Sequence, residues 1–191
     1  MPKFKSSQLI KPLVFSTVIV LFALAGAVLF NQEVLVNAAQ QGTVVTLVPP
    51  EQVRVGETIT VKLVVHNANN LAGFQSTVNY DASHLYAAGA IMDTGLGQSG
   101  RDIMPSSPLL AEGSVIVGAG TCPVADCSDS QFNTATRIAD GVDGYVELVK
   151  LELIANAPGS YELSLQDVQL VDPQGNQLGA ATANAVLEVS Q

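Results

Sequence analysis

Leu71-Ala-Gly-Phe-Gln-Ser-Thr-Val-Asn-Tyr-Asp-Ala-Ser-His-Leu-Tyr86 decides how the rest of the chain is read. Side chains alternate across an extended strand, so Phe74, Ser76, Val78 and Tyr80 share one face, and Gln75, Thr77 and Asn79 share the other. Asp81-Ala-Ser83 supplies turn-forming side chains, and Leu85 restarts an apolar run. A strand with one apolar face, a tight corner and a second strand is how a β-sandwich turns an edge.

The same grammar continues on both sides. Upstream, residues 43–48 read as a first strand stopped by Pro49-Pro50, and Val55-Gly56-Glu57 as a turn. Residues 58–65 follow with Ile59, Val61, Leu63 and Val65 inward and Thr58, Thr60 and Lys62 outward, and residues 66–70 read as a loop. Downstream, residues 87–92 extend the strand after the corner, and the Gly-rich residues 93–100 form a loop. Pro105 and Pro108 mark residues 101–110 as loop or edge strand, and Glu112-Gly113 as a hairpin turn into a strand over 114–120.

A polar insertion of about residues 121–143 precedes the long strand 145–154. Strict alternation there puts Val146, Leu148, Lys150 and Glu152 opposite Tyr145, Glu147, Val149, Leu151 and Leu153. Turns at 157–160 and 172–175 bracket a strand with Leu163, Leu165, Val168 and Leu170 inward, and residues 185–189 close the chain. About seven to nine short strands with no amphipathic helix between them point to an all-β antiparallel sandwich or barrel. The missing helical crossovers argue against a parallel sheet.

Composition narrows the function. Apolar residues make up 48%, enough for a core, while aromatics are 5% with no Trp. The net charge is −9, and setting aside Lys3, Lys5, Lys11 and Glu33 leaves 5 basic against 16 acidic residues. A surface this acidic repels phosphate backbones, so nucleic acid is not an expected partner.

Those three lysines precede residues 13–30, eighteen residues without a charge, in the form of an export signal. Val36-Asn37-Ala38 presents small residues to a signal peptidase, so residues 1–38 read as a cleaved signal peptide. The apolar run also approaches the ~20 residues that span a bilayer, so a retained helical membrane anchor stays open. In both cases residues 39–42 are a linker and 43–191 an exported sandwich domain.

Several elements recur in order. Val55-Gly-Glu-Thr58 leads into a strand, Leu71-Ala-Gly-Phe74 into the next, and Asn79-Tyr-Asp-Ala-Ser-His-Leu85 ends it. Asp140-Gly141 precedes the long strand, followed by Asn156-Ala-Pro-Gly-Ser160 and Asp167-Val-Gln-Leu-Val-Asp-Pro-Gln-Gly175. This series resembles a bacterial cohesin module over roughly residues 43–190. The resemblance implies a nine-stranded jelly-roll sandwich, shared with some carbohydrate-binding modules. It also implies a non-catalytic role outside the cell or at its surface, receiving calcium-loaded dockerins in polysaccharide degradation. The chain departs from the well-studied pattern at Gly73 and Gln75, where polar dockerin contacts usually stand, and in its insertion.

Gly95-Leu-Gly97-Gln-Ser-Gly100 matches G-x-G-x-x-G, but Pro105 and Pro108 replace the helix that a dinucleotide site needs, so it reads as a flexible loop. Cys122 and Cys127 lack two further local ligands for a metal, and in an exported chain they read as a disulfide closing a short loop, worth about 2 kcal/mol. Ser83-His84 are sequence neighbours that a strand or turn points apart, so His84 reads as a corner residue and no catalytic residue is assigned. Asp126, Asp129, Asp140, Asp143, Asp167 and Asp172 are oxygen donors that calcium favours. Without the EF-hand pattern they read as solvated loop carboxylates, and no cofactor is expected.

The candidate binding face is Gln75, Thr77 and Asn79, for a dockerin-like protein or a polysaccharide. Few rings remain for stacking on crystalline polysaccharide, so a carbohydrate-binding role would concern a soluble glycan. A structural spacer at the cell surface is the remaining alternative.

Overall fold

The strand periodicity of the sequence becomes, in the computed structural model, two packed sheets; the structure describes residues 42–122 and 140–191. The leader and the helix expected in it, nearly all of the linker, the middle of the insertion and Cys127 lie outside the described residues.

In chain order the strands are β1 (Val44–Val48), β2 (Val53–Arg54), β3 (Thr58–Leu71), β4 (Gly73–Asn79), β5 (Leu85–Met92), β6 (Asp102–Pro105), β7 (Leu109–Ala111) and β8 (Ser114–Cys122). After the insertion come β9 (Val142–Ala155), β10 (Gly159–Val171), β11 (Gln177–Leu178), β12 (Ala181–Ala183) and β13 (Ala185–Ser190). One sheet runs β12-β1-β3-β9-β5 and the other β2-β13-β10-β4-β8-β6, with β11 on β10 and β7 on β8. Among the described residues nine strands have four residues or more, and β2, β7, β11 and β12 have two or three. Segments that short carry no alternation to read. Two of them, β12 against β1 and β2 against β13, pair in parallel within otherwise antiparallel sheets.

The core lies between the sheets and is aliphatic. Ile59, Val61, Leu63 and Val65 of β3 are buried there, as their alternation requires, against Phe74 and Val78 of β4, Val115 and Val117 of β8, Leu163 and Leu170 of β10 and Leu187 of β13. Burying an aliphatic side chain of this size contributes about 1.5–3 kcal/mol, so these contacts hold the sheets together.

Two places differ from the sequence expectation, and each is a bulge; a third bulge, in β10, keeps Leu163, Leu165, Val168 and Leu170 on the core side as expected. Residues 66–70 are not a loop: β3 continues to Leu71 with register shifts at Val65/Ala68 and Ala68/Leu71. Asn67 and Asn70 take the left-handed conformation at φ 52° and 57°, which asparagine tolerates better than most residues. Asp143 Oδ1 accepts the Asn70 N–H at 2.7 Å, and Asn70 Oδ1 accepts the Gly141 N–H at 2.6 Å, so side chains satisfy what the bulged ladder does not.

In β9 the register jumps from Leu63↔Val149 to Val64↔Glu147, leaving Leu148 as the extra residue. The strict alternation therefore breaks, and Val146 and Leu148 are buried on the same side as Val149, Leu151 and Leu153. A bulge flips the facing of everything beyond it. The third bulge, at Asp167-Val168 of β10, has Asp167 at φ 51° and lies opposite Ser76.

The expected flexible loop over 93–100 is also corrected. Gly95–Ser99 is a 3-10 helix ended by Gly100 in the left-handed conformation, packed on β9 with Leu96 buried. Gly95 is the point of closest approach, since a Cβ there would lie 2.1 Å from the Glu147 carbonyl oxygen. Cys122 ends β8 in a disulfide.

Candidate partner-binding face

Strand β4 lies between β10 and β8, and its alternation sorts the candidate residues outward. Gln75 is exposed and Thr77 and Asn79 are half-buried, while Phe74, Ser76 and Val78 are buried beneath them. The register sets three rows across the outer surface. Gln169, Gln75 and Gly118 form the first; Gln166, Thr77, Ile116 and Leu109 the second; Ser164, Asn79, Ser114 and Ala111 the third. The structure therefore brings all three sequence candidates onto one continuous face.

The β8 side adds residues that the sequence reading did not name. Leu109, Met104 and Ile116 are 61%, 53% and 37% exposed. They share this outer side because Leu109 opposes Ile116 and Met104 opposes Gly120. Their signal in the sequence was weak: they lie beside prolines in a stretch with no regular period. Pro105 and Pro108 fall at this edge, where a missing N–H costs no ladder bond. Between β6 and β7, Ser106 donates both its N–H and its hydroxyl to the Gly118 carbonyl, at 2.9 and 2.7 Å, and ties the edge to the sheet.

Gly73 keeps the outward parity of Gln75 yet is buried, and a Cβ there would come within 2.9 Å of a Val171 methyl. A partner-contacting side chain at that position has no room. Two buried polar atoms lack partners among the described residues: Ser76 Oγ, opposite the β10 bulge, and Asn79 Nδ2.

Charge is distributed unevenly between the sheets. The five-stranded sheet carries Lys62 bonded to Glu147 at 2.8 Å and Lys150 bonded to Asp93 at 2.5 Å. The Lys150 hydrogen bond holds the Asp93 carboxyl below its ordinary value. The three rows of the candidate face carry no Lys or Arg, and Glu162 and Asp167 stand on β10 beside them.

At the corner after β4, the Asp81 carboxylate accepts the Ser83 hydroxyl at 2.5 Å and the Ser83 N–H at 2.9 Å. These bonds, with one to His84, bring the Asp81 carboxyl down to about 2. The turn does not point Ser83 and His84 apart as expected: Ser83 Oγ and Asp81 Oδ2 both meet His84 Nδ1, at 2.7 and 2.9 Å. A nucleophile relay needs serine and acid on opposite ring nitrogens, so this arrangement builds a turn. The ring stacks on Tyr161 at 5.4 Å, the corner packing expected of His84. Asp172 is likewise taken up by its own turn, accepting from Gln174 and Asn176.

Comparison with known proteins gives one family. The cohesin domain model matches residues 43–118. Among solved structures, a non-cellulosomal cohesin from the hyperthermophilic archaeon Archaeoglobus fulgidus superposes with a TM-score of 0.58 at 14% identity, covering 78% of this chain and 92% of that one. The cohesin module of a Clostridium perfringens family 33 glycoside hydrolase gives 0.56 at 14% identity over 77% and 97% of the two chains. A Clostridium thermocellum type I cohesin–dockerin complex, Coh-OlpC-Doc435, gives 0.57 at 10% identity over 78% and 93%. No curated protein sequence matches the chain. The chain thus carries a cohesin domain match over residues 43–118 on a cohesin fold.

Proposed function

We propose that the chain is an exported, non-catalytic cohesin-like module that binds a dockerin-like protein partner on the outer face of β10-β4-β8-β6. The observation that carries this reading is the exposed apolar lip of Met104, Leu109 and Ile116 beside the polar row of Gln75, Thr77 and Asn79. Leu109 and Ile116 oppose each other, with Met104 farther along β8, and exposed apolar side chains rimmed by polar ones mark protein interfaces. Solved cohesins of similar fold are in complex with dockerins, which supports a protein as the occupant. With no cation in its rows and carboxylates beside it, the face favours a partner that brings lysine or arginine.

The basic, then apolar, N-terminal segment supports export, with the module secreted or displayed on a single-pass anchor. N-terminal sequencing of the native protein distinguishes the two. A soluble glycan would need converging hydroxyl and amide groups rather than this flat face.

A pull-down from the native secretome, and a dockerin panel assayed with and without calcium, test the partner. Capture by the wild-type protein and its loss in Ile116→Lys and Leu109→Lys is the expected result. Failure to capture any protein favours a spacer, and capture unchanged in both variants rejects this face.

A further inference from the structure

At one end of this face, where β4 ends and β13 begins, the surface forms a shallow, open polar depression of about 410 Å³. Asn79, Tyr80, Glu162, Ser164, Gln166 and Asn184 line it. Glu162, Ser164 and Gln166 alternate outward along β10, and Ser164 directly opposes Asn79 across the ladder. Asn184 Nδ2 donates to Glu162 Oε1 at 2.9 Å, and Asn184 Oδ1 accepts the Leu165 N–H at 3.3 Å. The carboxylate and the amide are therefore held in place, with Glu162 Oε2 left to accept a further hydrogen. Asn79 Nδ2 is buried and meets no partner among the described residues. The Tyr80 ring is fixed because its hydroxyl donates to the Ala111 carbonyl at 3.0 Å.

We propose that this depression is a binding subsite for a neutral soluble glycan. Converging amides, a hydroxyl and a carboxylate, with one ring beside them, supply the donors and acceptors that sugar hydroxyls require. A fixed carboxylate next to an amide N–H is suited to vicinal hydroxyls, which donate to one and accept from the other. Glu162 and the acidic surface select against uronic acids and other anionic sugars. The site shares Asn79, Ser164 and Gln166 with the rows of the partner face but none of the apolar lip on β8, so its test reads different residues from the pull-down.

The test uses the full chain with cellotetraose, xylotetraose, mannotetraose and tetragalacturonate, followed by saturation-transfer NMR and calorimetry. One neutral tetrasaccharide is expected to bind, with affinity about tenfold weaker in Glu162→Gln and in Asn184→Ala. Ile91→Thr, on the opposite sheet, serves as the unchanged control. Glu162→Gln keeps the shape of the depression, so it reports even if Asn184→Ala loosens β13. Absence of binding by all three neutral sugars at about 10 mM overturns the proposal, as does binding unchanged in both variants. Tetragalacturonate binding as tightly as the neutral sugars overturns it too. None of these results alters the pull-down, which reads Ile116 and Leu109.

Discussion

Gly95→Ala separates a packing role for the Gly95–Gly100 motif from a flexible loop. The added Cβ would stand 2.1 Å from the Glu147 carbonyl oxygen, whereas ordinary contact begins at 3.4 Å, so something must move by 1.3 Å. Glu147 cannot yield easily, because it adjoins the Leu148 bulge in β9, whose carbonyl accepts the Asp93 N–H at 2.9 Å. The 3-10 helix must lift instead, which exposes Leu96, now 2% exposed, and strains its packing on β9. Overpacking and lost burial together cost about 2–4 kcal/mol. For a domain of this size that lowers Tm by roughly 4–16 °C.

Gly97→Ala is the internal comparison: its Cβ would meet the end of the Ile103 side chain at 3.3 Å, which can turn aside. Gly100→Ala places a side chain at φ 79° and costs about 1–2 kcal/mol from the left-handed conformation alone. Thermal melts of the three variants should therefore rank Gly95 worst and Gly97 mildest. If Gly95→Ala melts no lower than Gly97→Ala, the close approach of Gly95 to Glu147 does not govern this segment.

Two further outcomes follow from the core and the corner. Leu163→Ala removes a fully buried side chain from the middle of β10 and should cost about 2–5 kcal/mol by chemical denaturation, with an unchanged m-value. Asp81, held at about 2 by the Ser83 and His84 hydrogen bonds, stabilises the fold fully above the ordinary carboxylate range and loses that contribution as pH falls through about 2. Acid titration of stability should show this limb in the wild type and a reduced one in Asp81→Asn.

Much of the scaffold is legible locally. Ile59, Val61, Leu63 and Val65 declare a buried strand face by period alone, and the same rule turns Gln75, Thr77 and Asn79 outward. The Glu112-Gly113 turn is equally local, with Gly113 at φ 80° where β7 meets β8. Three features resist such reading. Leu148 looks outward by parity and is 1% exposed, because one unpaired residue reverses the count for the rest of β9. Asn67 and Asn70 look like loop residues, yet their tolerance of positive φ lets β3 run on to Leu71. Met104 and Leu109 sit among prolines with no period, and only pairing with β8 gives them a side.

Alternation is a property of a single strand, so the chain alone specifies an all-β antiparallel fold, most of its core-facing residues and the outward row of β4. Which strands become neighbours depends on contacts between residues far apart in sequence, as β4 lying between β8 and β10 does. That tertiary choice, with the bulges that tune it, sets Gln75, Thr77 and Asn79 beside Ile116 and Leu109. It also sets Asn79 beside Ser164 and near Asn184, building both the apolar lip and the polar depression from residues that carry no shared local signal.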